Sequence, residues 1–301
     1  QYTGSADIRY AVQCIGYALG CIKDVNIPTD TSGTPIQQQI NLDEEVVRYI
    51  PHGSSKCIGT MIPASMATHV HNHLNRIAME EGSVAEFVMS ELKVSTQSEL
   101  EAMLSGEQID GVAMTISQMR DGKGFILGDM TGVGKGRQVA AILKWAVLCG
   151  KCPVFVTEKS TLFSDLYRDM NDIGCGYLRP FILNSDAEAR IVDSCGNVAY
   201  NRPPSYDMEE FKQTKRVPDG YNYLLLTYSQ LFRTESKNWK AECVKSVIKD
   251  SYLILDESHN ASGDESNVGK FFREAVTLAS GVCYASATYA KYPSSMPVYA
   301  L

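Results

Sequence analysis

The 301-residue sequence has no long apolar run. Its longest such stretch, Ala140 to Cys149, is broken by Lys144. It falls far short of the roughly 20 apolar residues needed to cross a bilayer, so no membrane partner is expected. A signal-peptide pattern is missing as well. The chain begins at Gln1 rather than Met, and is expected to be a processed product or a piece of something longer. There is no basic excess: 28 Lys and Arg face 35 Asp and Glu, a net charge of −7. That argues against a general electrostatic grip on nucleic acid, while leaving room for a local basic track. Repeats and low-complexity tracts are absent. A disulfide frame is not indicated either. The nine cysteines are odd in number and scattered through apolar segments such as Val282-Cys283-Tyr284, as expected of reduced thiols in a cytoplasmic setting. What remains, 44% hydrophobic and 21% charged residues, is the composition of an ordinary globular protein.

The chain changes texture along its length. Its first part reads as a mainly helical N-terminal segment, residues 1–95. Ile8, Val12, Ile15, Leu19 and Ile22 recur at helical spacing, and Asp24 to Asn41 reads as a polar loop. Met66, Val70, Leu74 and Ile77 predict another helix, stopped at Gly82. Ser83 with Glu86, Thr96 with Glu99 and Ser105 with Gln108 each have the spacing of a capping box. From about Gly124, short apolar runs alternate with helical patterns. The runs are Phe125–Leu127, Val154–Val156, Phe181–Leu183, Tyr223–Leu226, Tyr252–Leu255 and Val282–Ala285. This alternation predicts an α/β fold with a parallel sheet covered by helices on both faces, over residues 96–301. The polar stretch of about 184–221 predicts an insertion on the rim of that sheet.

Three strand-end motifs carry chemistry. The first is Gly128-Asp129-Met130-Thr131-Gly132-Val133-Gly134-Lys135-Gly136-Arg137, which follows a strand and opens a helix. Glycines let backbone N–H groups curl around phosphate oxygens, the lysine neutralises charge, and the helix dipole adds attraction. The match to a P-loop is imperfect. Asp129 replaces the first glycine, and Gly136 replaces the Ser or Thr that usually ligates Mg²⁺. A plain glycine-rich β–α turn is the alternative. The second motif, Tyr252-Leu253-Ile254-Leu255-Asp256-Glu257-Ser258-His259, ends an apolar strand in two acids. Asp256 would hold Mg²⁺, and Glu257 would orient and deprotonate an attacking water. Alone, such acids are usually just solvated. The third, Tyr284-Ala285-Ser286-Ala287-Thr288, is weak by itself.

The order of the three motifs resembles the first RecA-like lobe of superfamily 2 helicases. The residues Phe125 to Gln138, Arg168 to Gly174, Leu255 to Ala261 and Tyr284 to Thr288 resemble, more narrowly, the strawberry notch family of helicase-like ATPases. The likeness runs from about Tyr49 to Tyr289. Pro153 to Glu158 and Leu162 to Arg168 most resemble its phage antirestriction-type members, which implies a host cytoplasm or a virion as the setting. The family carries glycine after the P-loop lysine.

The resemblance implies a RecA-like P-loop NTPase lobe that binds ATP and Mg²⁺ and acts on nucleic acid, with DNA as the expected track. Lys135, Asp256 and Glu257 are its catalytic candidates, with Asp256 on the metal. Gln108, Asp129, Thr131, Gly132, Val133, Gly134, Lys135, Gly136 and Arg137 are candidates for the nucleotide. Gln108 would read adenine or would simply cap its helix by answering Ser105. Lys159, Ser160, Thr227 and Tyr228 are candidates for the nucleic-acid backbone, with helix capping by Ser160 as the alternative. His259 would link the acids to Ser286 and Thr288.

Too few residues follow Tyr289 for a second lobe. The arginine such a lobe supplies is worth about 10³–10⁵ in rate in arginine-finger enzymes. The chain alone is therefore expected to bind nucleotide, hydrolyse it poorly and not translocate, with a second lobe on a longer parent chain or another subunit. The competing expectation is a nucleotide-binding or structural module of a phage assembly with little motor activity. Cys149 with Cys152, and His69, His71 and His73, have metal-like spacing but lack the further ligands of a site. Lys212, Lys215 and Arg216 read as a solvated loop.

Overall fold

The computed structural model describes residues 46–128, 133–186, 189–232, 238–261, 266–286 and 297–299. The helix expected at Ile8–Ile22 and the loop at Asp24–Asn41 lie outside the described residues. Strands β1 (Val46–Arg48) and β2 (Met61–Pro63) form a short antiparallel pair. Four helices follow: α1 (Ala64–Glu81), α2 (Val84–Leu92), α3 (Gln97–Met103) and α4 (Gly106–Arg120).

All three expected start signals operate. Ser83, Thr96 and Ser105 each accept a hydrogen bond from the backbone N–H three residues on. At Ser105 the box is reciprocal, because Oε1 of Gln108 accepts from the Ser105 N–H. At Thr96 the acid reaches one residue further back, to the Ser95 N–H.

The alternating part runs β3 (Gly124–Leu127), α5 (Lys135–Leu148), β4 (Val154–Thr157), α6 (Leu162–Asp172) and β5 (Pro180–Ile182). A small antiparallel pair, β6 (Ile191–Val192) and β7 (Val198–Tyr200), and helix α7 (Ser205–Thr214) occupy the polar stretch. Then come β8 (Tyr223–Thr227), α8 (Trp239–Ile248), β9 (Tyr252–Asp256), α9 (Asn267–Leu278) and β10 (Gly281–Ala285). The six apolar runs thus become six strands of one parallel sheet, ordered β3-β10-β9-β4-β8-β5.

The runs are continuously apolar because both faces of the sheet are covered. Phe155, Leu225, Ile254 and Cys283 point to one side, into a core shared with α1 to α6. Their neighbours Val154, Val156, Leu224, Leu226, Leu253, Leu255, Val282 and Tyr284 point to the other, against α7, α8 and α9. The period-2 alternation splits one hydrophobic sequence between two cores. Helix α5 is wedged among α4, α6 and the sheet. Its Trp145 is fully buried, packs 4.5 Å from the Tyr252 ring, and donates its indole N–H to Glu91. Among the described residues no helix is long and apolar enough to cross a membrane.

One buried charge stands apart. The ammonium of Lys240 on α8 donates to Leu183 O at 2.8 Å, to Ser185 Oγ at 2.6 Å and to Gln230 Oε1. These acceptors are neutral. Burial, aided by repulsion from Arg202, pushes its pKa down to about 8. In the unfolded chain a lysine titrates near 10.4. Below pH 8 both states hold the proton, and the folded state bears the full cost of burying the charge. Between those two values only the unfolded state holds it, so stability rises with pH. Denaturant unfolding at about pH 7 and about pH 9.5 should therefore show a gain on raising pH that Lys240→Met lacks. Equal pH slopes for the two proteins would contradict this assignment.

Candidate active site

The parallel register brings the motif ends to one edge. Leu127 pairs with Ala285, which pairs with Asp256, while Val156 pairs with Leu255. Gly128, Ser286 and Glu257 therefore stand level at the carboxyl end of the sheet, with Thr157 level with Asp256 one residue behind, where ligands bind in open α/β folds.

Helix α5 opens there. Its cap residue Gly134 has φ 81° and ψ 43°, the left-handed region. No side chain caps the helix, an arrangement that leaves first-turn N–H groups to an anion. Lys135 is the first helical residue. The Gln108 amide nitrogen on α4 donates to Val133 O at 2.9 Å and to Gly134 O at 3.2 Å. Its oxygen accepts from Ser105 N at 2.9 Å. Both ends of this amide are thus engaged, one as the cap of α4 and the other as a brace under the loop. A Cβ at Gly134 would overlap the Gln108 amide nitrogen. Glycine is needed here both for its backbone angle and for this close approach.

Asp256 ends β9. Its Oδ2 accepts from Thr157 Oγ1 at 2.7 Å, and its backbone oxygen accepts from Tyr228 OH at 2.8 Å. Burial raises its pKa and the Glu257 charge adds to the rise, against the Thr157 hydroxyl and the Lys135 charge. Glu257 sits at φ 47°, which strains a residue bearing a side chain. A turn holds it there, with Asn260 N donating to Glu257 O at 2.9 Å. Its Oε2 lies 3.4 Å from Ser286 Oγ and 3.4 Å from His259 Nδ1. His259 Nδ1 and Ser286 Oγ are 3.1 Å apart. Acid, imidazole and hydroxyl form a closed triangle, with Ser286 fully buried and Glu257 partly open to solvent.

The other expected residues separate. Lys159 and Ser160 lie on the loop after β4 at the same edge. Lys159 is exposed and 3.6 Å from Glu158. The cap residue of α6 is Thr161, which makes no side-chain capping bond. Arg137 points to α6, where it pairs with Asp172 at 2.7 Å. Gly136 faces the carboxylate of Asp169 on α6.

Thr227 and Tyr228 need correction as surface contacts, since both are buried. Thr227 bonds to Asn184 and Ser229, and Tyr228 packs on Phe272 while holding the Asp256 backbone. They shape the site from inside the lobe. Asp129, Thr131, Gly132 and Thr288 lie outside the described residues. Sequence reasoning assigned no role to Thr157 or Asp169. A hydroxyl ending an otherwise wholly apolar strand beside the acid-bearing strand was the available signal for Thr157.

A family model described as P-loop containing NTP hydrolase pore-1 matches residues 67–300. The chain belongs to that family. Among curated relatives, this chain is 28% identical over 188 residues to Protein strawberry notch of Drosophila melanogaster, covering 58% of the chain and 10% of the relative. It is 28% identical over 218 residues to Protein strawberry notch homolog 1 of Gallus gallus, covering 64% and 16%. A Caenorhabditis elegans homolog matches at 28% over 193 residues, covering 58% and 9%. The chain thus spans only a small part of the curated relatives it matches.

Two solved structures are also similar. One is the Sulfolobus solfataricus SWI2/SNF2 ATPase core in complex with dsDNA, at 17% identity and TM-score 0.41, over 64% of this chain and 34% of that one. The other is a nuclease-deletion mutant of the Type ISP restriction-modification enzyme LlaGI with a DNA substrate mimic, at 15% and 0.43, over 60% and 15%. With the family match, the six-stranded parallel sheet of this chain is that of a RecA-like P-loop lobe.

Forcing a side chain into the left-handed region costs about 1–2 kcal/mol. Gly134→Ala should therefore lower unfolding free energy by at least about that amount and weaken nucleotide binding in the same protein. Unchanged urea unfolding would show that the loop does not hold this conformation.

Proposed function

We propose that this chain is the ATP-binding and hydrolysing lobe of a superfamily 2 helicase-like motor acting on nucleic acid, with DNA as its track. The observation that carries the reading is the meeting of Lys135, Asp256 and Glu257 at one sheet edge, under an uncapped helix N-terminus. The donors fit a hard divalent cation: Asp256 is a half-buried carboxylate whose charge is opposed by its neighbour Glu257. Asp256 would hold Mg²⁺, directly or through water, and the metal would supply charge neutralisation on the phosphates. Lys135 and the first turn of α5 bind and orient the β/γ-phosphates. Glu257 orients the attacking water and takes its proton at a carboxylate oxygen. His259 and Ser286 position Glu257 and link it, through the end of β10, to whatever follows Thr288.

Lys159 and Ser160 are the track contacts we retain, because they lie exposed or half-exposed beside the site. A second RecA-like lobe would complete the motor and contribute an arginine to the transferring phosphate. The phage-type reading rests on the wording of Pro153–Glu158 and Leu162–Arg168 alone. Burial of Thr227 and Tyr228 narrows the available track and favours one alternative, a nucleotide-binding module with little motor activity. Stimulation of ATP turnover by added DNA separates the two.

Lys135→Ala should abolish measurable ATP binding, and retained affinity would overturn the P-loop assignment. Glu257→Gln should bind ATP as before yet turn it over about 10²–10⁴-fold more slowly, since that is the usual worth of a general base. Unaltered turnover in that variant would remove Glu257 from the mechanism.

A further inference from the structure

A P-loop ordinarily carries Ser or Thr after its lysine, and that hydroxyl ligates the Mg²⁺ that accompanies the nucleotide. Here the position is Gly136, and the structure shows what fills the space. A Cβ built on Gly136 would overlap Oδ2 of Asp169 and stand 2.9 Å from its Cγ. The carboxylate from α6 therefore sits where a Ser or Thr side chain would begin. Glycine at 136 and the acid at 169 are two halves of one arrangement, since no side chain at 136 coexists with this carboxylate.

Among the described residues, the bonding of Asp169 leaves that oxygen without a hydrogen-bond donor, with the Arg168 and Arg137 charges nearby. Its Oδ1 meets the Arg168 guanidinium at 3.3 Å, while the same guanidinium also holds Asp165 at 2.8 Å. No described residue donates a hydrogen bond to Oδ2. The side chain is only 16% exposed, so water alone is a poor partner. An anionic oxygen thus stands against the first turn of the phosphate-binding helix without a donor of its own. Near a nucleotide it would repel the phosphates unless a cation lay between them.

We propose that Asp169 supplies, directly or through one water, the oxygen that the missing hydroxyl at position 136 gives to Mg²⁺ in other P-loops. This rests on the nucleotide-site reading above. It makes the metal site carboxylate-rich, with Asp256 from β9 and Asp169 from α6. It also makes nucleotide affinity depend more steeply on Mg²⁺ than a hydroxyl would.

The test is equilibrium binding of a fluorescent ADP to the 301-residue chain across a Mg²⁺ series, and again in EDTA. For Asp169→Asn the Mg²⁺ needed for half-maximal affinity should rise by roughly 10-fold or more, the scale on which metal sites respond to lost support. In EDTA the same variant should bind ADP as well as, or better than, the unsubstituted chain, because a repelling charge has gone. The double variant Gly136→Ser/Asp169→Ala, which restores the ordinary hydroxyl, should recover much of the Mg²⁺ response. Weaker ADP binding in both conditions would mark Asp169 as a packing or dipole-capping residue and overturn the proposal. So would an unchanged Mg²⁺ response in Asp169→Asn. If the unsubstituted chain binds no ADP at all, the nucleotide site itself falls.

Discussion

The register of the parallel sheet is the constraint on which the site depends. Leu127, Ala285 and Asp256 lie in one row across β3, β10 and β9, and the Val156–Leu255 pair sets Thr157 level with Asp256. A slip of one residue would turn Asp256 or Ser286 toward the opposite face and bury it among apolar side chains. The two cores guard against that. Each strand divides its side chains between them, so a slipped strand would misplace every one. Packing that stabilises the fold therefore also aligns the chemistry.

The same edge concentrates buried polar groups, and each is held by something uncharged or only partly charged. Thr157 and Tyr228 hold the side chain and backbone of Asp256. Ser286 and His259 hold Glu257, whose backbone is kept in a left-handed turn. Gln108 braces the carbonyls that lead into α5. Buried groups satisfied this way are preorganised for a charged ligand and poorly neutralised without one. The carboxylate of Asp169 differs in resting one oxygen on the Arg168 guanidinium, while the other takes the space that glycine at 136 leaves open.

Much of this was legible in the sequence. The six strands could be read because strands covered on both faces are written as continuous apolar runs. The helix starts could be read because a cap is a local chemical event, and Ser83, Thr96 and Ser105 each perform it. Asp256 and Glu257 could be singled out because they end a strand, and Lys135 because it follows a glycine-rich turn and opens a helix. Other parts depend on packing between distant segments. Tyr228 looks like a surface aromatic until Phe272 and the Asp256 carbonyl enclose it. Thr227 looks free until Asn184 claims its hydroxyl and its N–H. Gly136 looks like a lost metal ligand until α6 packs on α5 and brings Asp169 against it. The alternatives for Gln108 were a cap and an adenine reader. Its amide is the cap, and its remaining N–H groups turn to the loop.

The most direct test of the account is the stoichiometry of ATP binding to this chain, measured by calorimetry in Mg²⁺ and repeated with excess ADP present. One saturable site per chain, competed by ADP, is expected, because one lysine and one acid pair converge at a single sheet edge. Heat that does not saturate, or binding that ADP leaves untouched, would contradict it.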